Sequence, residues 1–503
     1  MVDLVIKGGR IVSEGHVTPP AWLAVETGKI LALGVGQDPP EAKLTIDATD
    51  KYIMPGVVDP EQHPVPPFKD KILLESRASI ASGVTTVGMM APSLFITPAP
   101  DGVHRRAELP RMKKPEDVPT FMEVIPKWID MAKGRTMVDW FYSPEMSAEK
   151  HTKEMPELAE KLGVTSFKLY LHCMAGQHIW DMWPVMEKQG YFYYDDGTVF
   201  RAMRNVAAMG PPAVLCLHCE NMEIERLFKE ELIAQGRSDP EAWSDKSPPF
   251  TEAGHVRNYA YYAKIAGCPI YLIHCTTRET IAEVLRAKAD GTQICAQAGP
   301  RYLTLTKDKY PALINVPIRS REEIEPIWEA MRKGIINTIG SDHVWEARAL
   351  EDVEKTGILK YPHNIWETWE ISGSAVEAML PIMLSEGVNK GRLSLERVVE
   401  IMCENTARMF GLFPKKGTIA VGSDADLVIV DLNKKKKVTR DMILFHAGWS
   451  IWEDWEFTGW PIMTILRGNV MMEWPEGQPR KIVGKPIGQY LLRKHGHALY
   501  PLD

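Results

Sequence analysis

No apolar run in the 503-residue chain reaches the roughly 18 residues that would cross a bilayer, so a membrane-spanning reading is set aside. Positive charge is not in excess either. The net charge of −7 excludes a general nucleic-acid surface, and the one dense basic cluster, Lys434 to Lys437, follows Asp431-Leu432-Asn433 and reads as a solvated turn at a strand end. Cysteine is scarce. Seven residues, an odd number without framework spacing, exclude a disulfide scaffold. Cys216 and Cys219 have CxxC spacing but sit in a strand-like run, where alternating faces point the two thiols apart. Reduced cysteines and a cytoplasmic location are expected. The start lacks a charged-then-apolar leader, since Met1-Val2-Asp3-Leu4-Val5-Ile6-Lys7 runs straight into a strand pattern. Solenoid-type repeats are also missing.

What is present is the mix of a globular chain, 45% hydrophobic and 25% charged, with 15 tryptophans for aromatic walls in a core, a pocket or an interface. The first 55 residues read as short strands and turns: Leu4 to Val12 as strand, Gly8-Gly9 turn and strand, then Ile30 to Gly34. A matching β-rich stretch comes late, at Gly417-Thr418-Ile419, Asp426 to Asp431 and Met463 to Gly468. The two ends therefore predict one small β-sandwich from residues 1–55 and 411–475.

Between them, residues 56–410 alternate short apolar runs with helical patterns, and this rhythm predicts a TIM (β/α)8 barrel of the α/β class. Candidate strands are Thr85–Met89, Ser166–Leu171, Ala213–His218, Pro269–His274 and Ile335–Asp342, with helices over Thr280–Lys288 and Ile324–Lys333 among the connections. The stretch from Cys173 to Gly197, rich in Trp180, Trp183, Tyr191, Phe192, Tyr193 and Tyr194, breaks the rhythm and reads as a lid or as an oligomer contact. Residues 476–503 read as an arm for a neighbouring subunit.

Chemistry-bearing residues recur at strand ends. Glu61 and His63 follow Val57-Val58-Asp59-Pro60, two apart and so on one face; Lys168 lies inside a strand; His218, His274 and Asp342 each close an apolar run. One histidine ending a strand is commonly structural. Five strands delivering such groups to one rim mark the active-site face of a barrel.

In these motifs the chain resembles the amidohydrolase superfamily, in its hydantoinase, dihydropyrimidinase, allantoinase and dihydroorotase branch. The resemblance rests on Pro55 to His63, Gly83 to Val87, Ser166-Phe167-Lys168, His218-Cys219-Glu220-Asn221, His274, Gly340-Ser341-Asp342-His343, and Gly411 to Ile419 running on to Gly422–Leu427. It implies one or two divalent metals, manganese or zinc, bridged by a carboxylated Lys168. His63 and Asp342 would hold the deeper metal, and His218 and His274 the outer one. Two cations would lower the pKa of a bridging water to give hydroxide near neutral pH, with Asp342 as catalytic proton carrier. A small cyclic substrate and a homo-oligomer, dimer or tetramer, are implied as partners.

Four positions depart from the family. Its His-x-His is here Glu61-Gln62-His63, and an oxygen donor at 61 shifts preference from zinc toward manganese or magnesium. Cys173 replaces a tyrosine that hydrogen-bonds the oxyanion. Gln297 replaces a usual Glu, in Gln297-Ala298-Gly299-Pro300-Arg301-Tyr302 where relatives often have Pro-His-Tyr. Tyr361-Pro362-His363-Asn364, with Trp366 and Trp369, replaces a Gly-rich stretch, and Asn364 becomes a candidate substrate contact. The leading expectation is a metal-dependent cyclohydrolase acting on a cyclic amide. The alternatives are C–C hydrolysis of a cyclic 1,3-diketone, as in dihydrophloroglucinol cyclohydrolase, a metal-dependent decarboxylase, and a non-catalytic scaffold like the dihydropyrimidinase-related proteins.

Overall fold

The computed structural model describes residues 1–13, 15–64, 69–92, 118–146, 148–171, 195–308, 314–345, 365–367 and 375–494. The N-terminal strands are β1 (Val2–Ser13), β2 (His16–Glu26), β3 (Lys29–Val35), β4 (Ala42–Asp47) and β5 (Tyr52–Pro55). β6 (Val57–His63), β7 (Val84–Pro92), β8 (Asp139–Glu145), β9 (Ser166–Tyr170), β10 (Val214–His218), β11 (Ile270–Leu272), β12 (Ile294–Ala298), β13 (Thr338–Ile339) and β14 (His343–Val344) follow. β15 (Leu427–Lys437), β16 (Glu456–Leu466), β17 (Asn469–Glu473) and β18 (Lys481–Ile482) complete the order.

Strands from both chain ends share one sheet, ordered β18-β17-β16-β15-β5-β1-β2-β3 with β4 also on β1. The Gly8-Gly9 turn expected within the first strand is instead a bulge. Gly8 has φ +82°, a Cβ there would lie 2.5 Å from Thr49 Oγ1, and the strand continues through it. β1 therefore pairs with β4 before the bulge and with β5 after it. Leu4, Ile6, Leu23, Val25, Ile53, Leu427, Ile429 and Ile465 close the sandwich core. Gly417-Thr418-Ile419 lies in a bend outside the strands. Lys434–Lys437 is corrected from a turn to the second half of β15, paired with β16 through Lys435↔Thr458 and Lys437↔Glu456 beyond a bulge.

The middle of the chain is the TIM barrel. Its strands run in parallel from β6 to β12, and β13 and β14 are two pieces of one further strand, the first on β12 and the second on β6, so the ring closes across Gly340–Asp342. Alternation sorts the side chains. Phe167, Leu169, Leu215, Leu217, Ile270 and Leu272 pack outward under the helices, while Val58, Phe141, Val214, Cys216, Tyr271 and Cys295 fill the interior. Cys216 and Cys219 accordingly belong to different packing clusters. Trp128, Trp140, Trp328, Trp345, Trp449 and Trp452 are fully buried, so much of the tryptophan excess is core.

Among the described residues, the tail contacts its own barrel through Gly488 to Arg493. Its backbone bonds Trp140 on both sides, from Trp140 N–H to Gln489 O (2.9 Å) and from Leu491 N–H to Trp140 O (2.8 Å). Arg493 is buried, donating to Ser166 Oγ and Tyr142 O, both at 2.8 Å.

Candidate active site at the barrel rim

Strand alternation aims the polar residues of β9 and β10 into the barrel rim, and β11 departs from it. On β9 the outward Phe167 and Leu169 leave Lys168 facing in, and on β10 the inward Val214 and Cys216 carry His218 in. On β11 the inward Tyr271 and Ile273 would send His274 outward; its left-handed backbone, φ +40°, brings it to His218 instead. Asp342 is likewise left-handed, φ +49°, in the break between β13 and β14.

Glu61, His63 and Asp342 each offer one donor atom, all within 4.8 Å of one another. His63 Nε2 lies 3.2 Å from Asp342 Oδ1, and both it and Lys168 Nζ reach Glu61 Oε1, at 3.4 and 3.0 Å. Lys168 Nζ is 3.4 Å from His63 Nε2 and stands over the Tyr170 ring. Beside them His218 Nδ1 and His274 Nε2 are 2.8 Å apart. Of the expected site residues, Glu61, His63, Lys168 and Asp342 thus form one cluster, and His218 and His274 form a pair. Asn364, Cys173, the 173–194 part of the aromatic stretch, Tyr361 to His363 and Trp369 lie outside the described residues. Trp366 packs near Trp243 and donates to Arg237 O at 2.8 Å.

Several residues at the site were not assigned a role from sequence. Glu145, ending β8, accepts from His63 Nδ1–H at 2.9 Å and from Tyr170 O–H at 3.0 Å. It fixes the ring so that Nε2 faces the cluster. Glu220 does the same for His218 through Nε2, at 2.9 Å. Asp59 accepts from Ser341 N–H (2.9 Å) and Oγ–H (2.6 Å), tying the ring closure next to Asp342. Arg301, buried, donates to the carbonyls of Ser341 and Asp342 at 3.2 Å and to Asp342 Oδ2 at 3.3 Å.

Charges within the cluster compensate one another. Burial opposes charge on Glu61, but the Lys168 charge, the His63 hydrogen bond and His274 outweigh it and hold its carboxyl well below the usual range. Burial and Lys168 both oppose a proton on His63; hydrogen bonds to Asp342, Glu145 and Glu61 overcome them, and its pKa stands well above the ordinary imidazole value. The donor set of Glu61, His63 and Asp342, with His274 Nδ1 buried without a hydrogen-bond partner among the described residues, fits a divalent metal of mixed oxygen and nitrogen preference.

A second trio, Asp139, Asp424 and Asp426, also lies within metal-binding range, but Lys416 Nζ already sits among them at 2.6, 3.0 and 2.6 Å.

Fold and rim together define a barrel hydrolase of the metal-dependent kind. Residues 252–471 match the model of the amidohydrolase family. L-hydantoinase of Paenarthrobacter aurescens is 30% identical over 99% of this chain and 100% of its own length, and D-hydantoinase of Rhizobium radiobacter is 29% identical over 98% and 99%. The solved structure of L-hydantoinase (dihydropyrimidinase) from Arthrobacter aurescens matches with a TM-score of 0.81 at 29% identity, over 97% of this chain and 99% of that one. The chain belongs to the amidohydrolase family.

Proposed function

We propose that this protein opens the ring of a small cyclic amide of hydantoin or dihydropyrimidine type by adding water across the C–N bond. One or two divalent cations, manganese or zinc, would be held by Glu61, His63, Asp342, His218 and His274, with Lys168 carboxylated between them. The observation that carries this is the convergence of Glu61, His63, Lys168 and Asp342 on one buried point beside the His218–His274 pair. When bound, the cations supply Lewis acidity that activates water and polarises the carbonyl.

The chain's own groups do the rest. Asp342 accepts the water's proton and passes it to the ring nitrogen as the C–N bond breaks and the C–O bond forms. Arg301 holds Asp342 in its left-handed backbone, and Glu145 and Glu220 aim the two histidines. Carboxylation of Lys168 replaces an ammonium group with an anion bearing two oxygens. Lys168→Ala should therefore abolish turnover, with partial return on adding short carboxylic acids.

The test is a substrate screen on chelator-stripped protein with manganese or zinc restored, using hydantoin, dihydrouracil, allantoin and a 1,3-cyclohexanedione. Metal-dependent turnover of a cyclic amide, with kcat/KM on the order of 10⁴ M⁻¹s⁻¹ or more, is expected. Turnover of the diketone alone would move the leaving group from nitrogen to carbon.

A further inference from the structure

Glu61 divides its two oxygens between different neighbours. Oε1 faces the cluster, toward Lys168 and His63, whereas Oε2 accepts a hydrogen bond from Gln297 Nε2 at 2.8 Å. Both side chains are completely buried. Gln297 lies on β12, and the space it occupies exists because residue 340 is glycine: a Cβ there would come 2.1 Å from Gln297 Nε2. The other end of the amide, Gln297 Oε1, is buried without a hydrogen-bond partner among the described residues. Turning the amide over would set two acceptors, Gln297 Oε1 and Glu61 Oε2, against each other. The charge on Glu61 therefore fixes the amide, and the amide in turn fixes which oxygen of Glu61 is left for the cluster.

We propose that Gln297 is the positioning residue of Glu61, and that positions 61 and 297 act as one unit setting metal selectivity. This rests on the reading of Glu61 as a metal ligand. With Oε2 held, Glu61 offers a single oxygen to the deeper cation, which suits a cation of tight octahedral preference and disfavours bidentate coordination. The pair also accounts for two departures together. A glutamate at 297 beside Glu61 would press two buried carboxylates together. Beside a histidine at 61, the same glutamate would accept the ring N–H. Glu61 with Gln297 thus keeps one donor and one acceptor in contact with their places exchanged.

The experiment is a double-mutant cycle on the full chain, comparing wild type, Glu61→His, Gln297→Glu and the double variant. Manganese and zinc dissociation constants are measured by chelator competition, with thermal melts to verify folding. Gln297→Glu should weaken manganese at least tenfold, within the range for groups that orient a ligand. The double variant should bind zinc at least tenfold more tightly than the product of the two single effects allows, and its manganese-to-zinc preference should invert relative to wild type. Gln297→Leu, which keeps the volume without a donor, carries the test if Gln297→Glu fails to fold; it should lose about tenfold for manganese, and an unchanged affinity overturns the proposal. Effects that multiply independently to within about twofold overturn the coupling alone. A wild-type protein that binds neither metal, or a Glu61→His variant with both affinities unchanged, would bring down the ligand reading beneath it.

Discussion

Glu145 Oε1 stands 2.9 Å from His63 Nδ1, and the same oxygen accepts the Tyr170 hydroxyl at 3.0 Å. Burial opposes charge on Glu145, but the His63 hydrogen bond and nearby positive groups hold its carboxyl below the usual range, so it is an acceptor. An imidazole that donates its Nδ1–H to a carboxylate turns Nε2 toward the cluster, where a bound cation would take the place of the Nε2 proton. Glu145→Ala should therefore lower metal affinity by about 10- to 100-fold without unfolding the barrel, and Glu145→Gln, which retains an acceptor, should lose less. Metal content after dialysis against a graded chelator series checks this; equal retention by wild type and Glu145→Ala would remove Glu145 from the site.

Arg301 supports Asp342 in a different way. Its guanidinium bonds the carbonyls of Ser341 and Asp342 as well as Asp342 Oδ2, so it braces both the backbone and the carboxylate of a residue at φ +49°. Arg301→Lys keeps the charge but loses the planar fork. A displacement of about 1 Å in a proton-carrying group costs about 10²-fold in rate, so kcat should fall by that order while KM moves little. A KM effect with kcat preserved would instead place Arg301 in substrate binding.

Why Glu145 escaped the sequence and Lys168 did not is a matter of strand recognition. The inward parity that exposes Lys168 on Ser166–Tyr170 applies equally to Asp139–Glu145, where Phe141 faces in and Trp140 and Tyr142 face out. That segment begins with an acid and carries Pro144, which cannot donate to a ladder, so its strand character was masked. The repeated βα rhythm and the terminal sandwich strands were legible because their apolar periods are local. Pairings such as Gln297 with Glu61 and Asp59 with Ser341 join residues 236 and 282 positions apart, and only ring closure brings them together. The left-handed turn that redirects His274 also has no local signature, since the residue is not glycine. The lysine run at 434–437 misled in the opposite sense: Lys435 to Lys437 are exposed as expected, but Lys434 stands over the Trp474 ring and a bulge after Asp431 lets the strand continue through the run.

Lys416 joins the sandwich to the barrel floor. It is almost wholly buried and bonds Asp139 of β8 and Asp426 just before β15, with Arg467 also bonding Asp139. Burial works against its charge, but Asp426, Asp139 and Asp424 outweigh that and raise its pKa above the ordinary lysine value. Lys416→Met would leave buried carboxylates short of a partner, and destabilisation of about 3–5 kcal/mol is expected from the loss of one member of a buried ion pair. The urea midpoint of the variant checks it; a midpoint within error of wild type would show that Arg467 alone compensates the three carboxylates.

His151 predicts a pH dependence separate from the metal site. It lies buried in the helix Glu149–Leu162, its ring 4.6 Å from that of Phe121, and its Nε2–H donates to Pro119 O at 3.1 Å. Burial is the main cause that pushes its pKa down, from 6.5 to about 4, against the Pro119 hydrogen bond and with help from Lys150. The unfolded chain therefore binds a proton on this residue that the folded chain refuses between those two values. Stability from the neutral ring is fully present above pH 6.5 and is lost as pH falls toward 4, by about 3 kcal/mol for a shift of this size. His151→Gln keeps an N–H donor for Pro119 O but cannot titrate. Unfolding midpoints of the two proteins, measured from pH 7.5 down to 4.5, should show wild type losing stability faster than the variant. A constant difference across that range would mean that His151 is protonated in the fold or exposed to water there, and the buried neutral assignment would fall.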